Sequence, residues 1–340
     1  MKKLYSLFFA LLLAGSLAAQ NPTAYFMEGS TFRSQLNPAF APLRGYVNIP
    51  GIGSLNVSTS GNISLDKVLY PRNGKLVTLI DSSVSSAEAL SGLKTQNLLG
   101  ADTYINLIGF GAYARNRKDF WSFGLSLRTS AEVNLPYSLF DFIKNGHEGS
   151  IRDIGVAADS YLEAAFSYSF PLLDDRLYIG VRGKFLAGMA RGRLSFDRFD
   201  VSLQDDRWAV DAAGSLDISA SGLTATTEEN AAGEQIYKFN DIELQPTSPA
   251  GYGFAVDLGA TYDILPDLQA SLAVNDLGFI SWGKGNNLSG TSSKNLEFTG
   301  TTVEGGTVSE LPDFDLDVLE FRKEEARSAT RAVSYTHLTL

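Results

Sequence analysis

Four charged residues stand where an alternating chain carries small or polar side chains. Arg182 and Lys184 alternate with Leu177, Ile179, Val181 and Phe185. Asp257 and Asp263 alternate with Tyr252, Phe254, Val256, Leu258, Ala260, Tyr262 and Ile264. Successive side chains of a strand face opposite sides, so these charges share a face with residues such as Tyr178, Gly180, Gly253 and Thr261. Charges on such a face can line a lumen and set its selectivity. They can equally pair across a plugged interior, because a charge out of water needs a partner.

Little else in the chain carries chemistry. It has 2 histidines and no cysteine. That excludes disulfides, thiolate metal sites and cysteine nucleophiles. His147 lies in Asn145-Gly146-His147-Glu148, a turn sequence, and a serine–histidine–acid set would have to use it. A solvated loop histidine is the simpler reading. No histidine pair offers a metal site. Asp313, Asp315, Asp317 and Glu324 fall at positions 1, 3, 5 and 12 of a calcium loop, but Val318 occupies the position of the turn glycine. An acidic surface segment fits them better. Gly51-Ile52-Gly53 and Gly109-Phe110-Gly111 do not complete a dinucleotide fingerprint. No enzymatic activity and no cofactor are expected.

The elements that position these residues are long strands. Gly251 to Ile264 puts seven apolar side chains on one face, with aromatics near both ends, the order of lipid-facing residues between two interfacial girdles. Soluble strands run to about 5–6 residues. Leu265-Pro266-Asp267 turns the chain, and Leu268, Ala270, Leu272 and Val274 resume the alternation. Ser160 to Met189 repeats the plan around Pro171–Asp175. Phe120 to Leu135 alternates Trp121, Phe123, Leu125 and Leu127 with Ser122, Gly124, Ser126 and Arg128, after a turn at Asn116–Asp119. Thr103 to Arg115 is apolar on both faces and shows no sidedness. Arg193–Leu203 and Trp208–Ala220 are further candidate strands. Ser85–Leu99 and Ser138–Ile143 have room for short helices. Thr224–Gln245 reads as a long polar loop, and the pattern decays after Trp282.

Length and ends add limits. The 340 residues allow one large β-domain. A net charge of −10 and a pI near 4.8 exclude nucleic acid as a partner. Lys2 and Lys3 precede the apolar run Leu4–Leu13, and Ser16–Ala19 offers a cleavage site, so residues 1–19 read as a signal peptide. That run is too short to span a bilayer, and no apolar run of about 20 residues follows. Residues 20–331 are then the body of the protein. The last stretch, 332–340, resembles a translated adapter and is read as a non-native tail. The expected fold is all-β, an antiparallel transmembrane β-barrel incomplete at the C-terminus.

Three features carry a family resemblance: the signal peptide, Asn37-Pro38-Ala39-Phe40-Ala41-Pro42, and Val274-Asn275-Asp276-Leu277-Gly278-Phe279-Ile280-Ser281-Trp282. Together they resemble outer-membrane barrels of Bacteroidota that carry a domain of unknown function. Those barrels are distantly similar to the PorP/SprF-type secretion-associated barrels and the long-chain fatty-acid transporter superfamily. The resemblance covers about residues 24–282. It implies the cell outer membrane, with lipid and the barrel-assembly machinery as partners. Asn37, Pro38 and Ala39 would be an internal plug segment or a rigid lead-in to the first strand. The expected function is a channel or transporter for small or hydrophobic solutes. A structural or secretion-accessory barrel anchoring a partner is the first alternative. A soluble exported β-sandwich or adhesin is the second; it requires the rows at 252–264 and 177–189 to be buried under another sheet. On the barrel expectation, Leu258→Arg costs about 2–4 kcal/mol, and Asp257→Arg costs less if it faces a wet lumen.

Overall fold

The computed structural model describes residues 25–339 apart from 26, 28–29, 50–54, 64–66, 68, 147–148, 205–206, 246, 266–267, 300–302, 305–306, 309–315 and 327. Residues 1–19, expected as a signal peptide, and His147, Asp313, Asp315, Pro266 and Asp267 lie outside the described residues. Helices are short: α1 (Arg33–Leu36), α2 (Ser86–Leu90) and α3 (Tyr137–Asn145). The strands are β1 (Tyr46–Asn48), β2 (Leu55–Gly61), β3 (Leu69–Arg72), β4 (Lys75–Thr78), β5 (Gln96–Tyr113), β6 (Phe120–Pro136), β7 (Gly149–Ile151), β8 (Ile154–Leu172), β9 (Leu177–Gln204) and β10 (Arg207–Ala220). They continue with β11 (Thr227–Glu229), β12 (Gln235–Tyr237), β13 (Gly251–Leu265), β14 (Leu268–Trp282), β15 (Asn287–Thr299), β16 (Val303–Glu304), β17 (Thr307–Val308), β18 (Arg322–Glu324) and β19 (Ala329–Thr339).

One antiparallel sheet of 15 strands contains all but the hairpins β3–β4 and β16–β17. Its axis is β9, 28 residues long. The sequence pattern gave two separate candidates there, yet the strand runs unbroken from Leu177 to Gln204. One edge of β9 pairs with β8 throughout most of its length. The other edge changes partner midway: Gly188 pairs with Gly251 of β13, and Ala190 pairs with Ala220 of β10. The sheet therefore forks. One branch is β13–β14–β19; the other is β10–β15–β18–β12–β11. At the fork Met189 is an extra residue opposite Ser160 and Tyr161, a β-bulge.

The sheet is strongly curved. Arg128 on β6 reaches Asp276 on β14 at 3.1 Å, although β8, β9 and β13 lie between those strands. The sheet is not closed into a barrel: β1 and β2 pair with β5 at one edge, β19 pairs with β14 at the other, and no ladder joins the two edges among the described residues.

Polarity follows the curvature. Phe166, Val181, Phe185, Tyr252, Phe254, Leu258, Leu277 and Phe279 are exposed on the convex face; Tyr252 and Phe254 keep 54% and 61% of their surface. Ser122, Ser126, Ser167, Glu163, Arg182, Lys184, Asp257 and Thr261 are buried on the concave face. Among the described residues no second sheet covers the row at 252–264 or its neighbour on β9, which is the opposite of what the β-sandwich alternative requires. Among the described residues the convex face is covered at the end of β6, where Leu135 packs against Tyr70, Val84 and Phe140, and beside β10 and β15. There Phe196, Val210, Ala212, Leu216 and Leu288 pack against Tyr237 of β12 and against Leu319 and Phe321, which precede β18.

Bulges account for the segments whose pattern was unreadable. In β5, Asn106 pairs with Ser126 and Ile108 with Leu125, so Leu107 is inserted. The insertion moves the inward set from Tyr104 and Asn106 to Gly109 and Gly111, which is why Thr103–Arg115 looks apolar on both faces. After Trp282 the chain does not lose its strands: β15 and β19 follow. Residues 332–339, expected as a tail, continue the backbone of β19 beside β14.

Candidate functional site

The concave face gathers six charges. Lys184 Nζ lies 2.7 Å from Asp257 Oδ2, 2.5 Å from Asp276 Oδ1 and 3.8 Å from Glu163 Oε2. Arg182 Nη1 is 3.5 Å from Asp257 Oδ2. Arg128 Nε is 2.9 Å from Glu163 Oε2, and its Nη1 is 3.1 Å from Asp276 Oδ2. Arg128, Arg182 and Lys184 thus balance Glu163, Asp257 and Asp276. Burying any one of them alone would cost several kcal/mol, on the order of 3–5 when a partner is removed. Mutual pairing makes the interior tenable without water.

A bulge in β14 delivers two of these groups. Val256 pairs with Leu277 and Leu258 with Val274, so Asn275 and Asp276 together oppose Asp257. Asp276 has φ 57°, a left-handed conformation that aspartate tolerates better than most residues. Its N–H donates to Asp257 Oδ1 at 2.7 Å. Both side chains then turn inward.

The described residues between 25 and 40 lie within the curvature and complete the cluster. Arg182 donates to the Ser34 carbonyl at 2.7 Å and to Gln35 Oε1 at 2.8 Å. Asn275 Nδ2 donates to the Leu36 carbonyl at 2.7 Å. Asn37 is fully buried; its Nδ2 donates to the carbonyls of Ala260 and Leu272, and its Oδ1 accepts from the Ala39 N–H at 2.9 Å. Glycines permit the approach: a Cβ on Gly180 would overlap the Pro38 carbonyl, and one on Gly259 would overlap the Asn37 carboxamide. Tyr25 bonds the Ser271 hydroxyl and meets Phe40 edge-on, while the Arg33 guanidinium stacks on Phe40 at 3.8 Å. So Asn37, Pro38 and Ala39 sit within the concavity of the sheet, against β9, β13 and β14. The remaining gap, between Gln35, Tyr104, Asn106, Ser126, Glu163 and Arg182, has room for about one water.

Above the charges lies an apolar layer of Tyr161, Leu186, Ile280 and Trp282, with Trp282 filling the space over Gly188. Beyond it the concave face opens into a cavity of about 650 Å³, lined by Glu132, Asn134, Gly155, Ala157, Arg191, Arg193 and Ser195 among others.

Of the charges singled out in the sequence, Arg182, Lys184 and Asp257 meet. Asp263 does not join them: it sits near the β13–β14 turn, accepts from Gln269 Nε2 at 2.7 Å, and its carbonyl accepts from Arg176. Arg128, Glu163 and Asp276 were missed. Glu163 is a lone acid among Leu162, Ala164 and Ala165, and that oddity was the available signal. Asp276 lay inside a motif noted only for resemblance. Of the calcium-loop candidates, Asp317 accepts from the Phe239 N–H at 2.7 Å and Glu324 from the Thr291 hydroxyl at 2.8 Å. No group of three His, Cys, Asp or Glu is placed to hold a metal among the described residues.

The two motifs of the sequence thus become one structure, with Asn275 and the β14 bulge gripping the Asn37 segment. No curated protein and no solved structure matches the chain. Residues 38–338 match the model of a family of unknown function, and the chain belongs to that family, DUF5723.

Proposed function

We propose that this protein is the wall of an outer-membrane β-barrel, closed at rest by its own residues 25–40, which admits small polar solutes only when that segment moves. The reading rests on the inverted polarity of the sheet. In water, charges stay outside and large apolar side chains go in. Here Phe254 and Leu258 face out, while Lys184 and Asp257 are buried. A wall with lipid outside has that order. The dimensions agree: Tyr252 to Ile264 extends about 40 Å along the strand. Tilted at about 45°, that covers roughly 28 Å, against an apolar band of about 25 Å. Lipid offers no partners for backbone groups, so the free edges of β1, β2 and β19 have to meet in the membrane.

The experiment is reconstitution. Expected results are resistance to carbonate extraction, little flux of small polar solutes through the unmodified chain, and flux once the Asn37 segment is displaced. Recovery in the carbonate-soluble fraction overturns the membrane reading. A second reading, a permanently closed structural or secretion-accessory barrel that anchors a partner, is favoured by the balanced charges and by the gap among them, which has room for about one water. Membrane retention, no flux from any plug variant and a stable co-purifying protein would select it.

A further inference from the structure

We propose that the cavity beyond Trp282 binds a small zwitterionic solute of the short-peptide class, with its carboxylate on Arg191 and Arg193 and its ammonium on Glu132. The proposal rests on reading this cavity as the outer vestibule of the closed barrel, and it adds what that vestibule recognises. At about 650 Å³ the cavity is within the usual range for small-molecule sites, about 300–1,000 Å³.

The charges are placed by register. Glu132 on β6 pairs with Ala157 on β8, and Ala157 pairs with Arg193 on β9. One row therefore reads acid, methyl, base from Glu132 to Arg193, roughly 9–10 Å between the Cα atoms of those two residues, and continues on β10 with Asp217, whose carboxylate accepts from the Ser289 hydroxyl at 2.7 Å. The next row inward carries Arg191 opposite Asp159, whose carboxylate already accepts from Ser130 at 2.9 Å. The next row outward is Asn134, Gly155 and Ser195. Gly155 and Ala157 leave a trough between the two charged walls. Among the described residues neither Arg191, Arg193 nor Glu132 makes a side-chain hydrogen bond or a close ion pair, in contrast to the cluster below them, although Asp217 acts on Arg191 from β10 and Asp153 and Asp197 also line the cavity. The Met189 bulge keeps both arginines on the concave face. A peptide lying over Ala157 can place its two termini on opposite walls, and the cavity has space for a chain of about three small residues.

The test is binding by the full chain in detergent micelles, measured calorimetrically with triglycine, N-acetyl-triglycine and triglycine amide. The expected result is saturable binding of triglycine and at least tenfold weaker binding of each capped form. Glu132→Gln should abolish the preference against the acetylated form, and Arg193→Gln the preference against the amide. Absence of triglycine binding, or equal binding of all three ligands, overturns the proposal. The ligand comparison uses the unmodified protein, so it decides the matter even where a variant fails to assemble. Failure here would leave the membrane reading intact, because carbonate extraction and flux are measured without this ligand.

Discussion

Lys184 Nζ lies 2.5 Å from Asp276 Oδ1, although 92 residues separate them. The contact depends on two independent features: the inward row of β9 and the left-handed bulge of β14. Lys184 also holds Asp257 at 2.7 Å, so its loss would leave the cluster one cation short, with Asp257 on Arg182 alone and Asp276 on Arg128 alone. Lys184→Met should destabilise the fold by about 3–5 kcal/mol, the usual cost of breaking a buried pair from one side. The double change Lys184→Met with Asp276→Asn should recover part of that loss, because the cluster regains balance. Denaturant unfolding in micelles measures both. A double variant no more stable than Lys184→Met alone would show that the bulge, and not the charge balance, dominates.

Gly259 provides the closest seat for the plug. Gly259→Val drives a branched side chain into the Asn37 carboxamide, whose position is fixed by the carbonyls of Ala260 and Leu272. The nearest groups are the Asn37 carboxamide and the Pro38 ring, neither of which is a flexible chain end, so the segment has to move. The expected outcome is faster proteolysis within residues 25–40 and a rise in solute flux. Gly183→Ala is the control, since nothing lies within 4 Å of its Cβ position. Equal protease resistance in the two variants would mean that the plug is held elsewhere.

Leu258 and Asp257 test which face is which. Leu258→Arg puts a charge on the convex face, costing about 2–4 kcal/mol near a bilayer midplane. The expectation from sequence, that Asp257→Arg is the milder change, needs correction. Asp257 is fully buried between Arg182 and Lys184, so an arginine there would set three cations together. Asp257→Arg should be the more damaging of the two in a membrane-assembly assay. The opposite ranking would place Asp257 in a wet lumen.

Much of this was legible from alternation alone. The row at 252–264, the hairpin around Leu173–Arg176 and the inward placement of Arg182 and Lys184 follow from a period of two. Three things were hidden, each for a physical reason. Bulges at Leu107, Met189 and Asn275–Asp276 shift the alternation locally, so pattern reading loses sidedness there. The fork at Gly188–Ala190 is a change of hydrogen-bonding partner, which leaves no mark on the side chains of β9. The contacts of Arg128 with Asp276, and of Asn275 with Leu36, cross the concavity between segments far apart in sequence. Only the curvature of the sheet brings them together.

The covering layer on β10 and β15 should respond to acid. Glu234 is ion-paired to Arg322 at 2.9 Å and Glu320 to Lys294 at 2.7 Å, with Asn230 bridging the two carboxylates. The hydrogen bond from Arg322 holds Glu234 below the ordinary glutamate value, and the one from Lys294 does the same for Glu320. A carboxylate with a depressed folded-state pKa contributes stability above its unfolded value, about 4.3, and loses it as pH falls through the folded value. Both pairs are half-exposed to solvent, so the effect is modest and screened by salt. Hydrogen exchange at pH 7 and near pH 3.5, corrected for intrinsic rates, should show β12 and β18 losing protection before β8 and β9 do. Glu320→Gln should flatten that pH response without altering β9. Protection lost uniformly across the sheet would mean that the layer and the wall unfold as one unit.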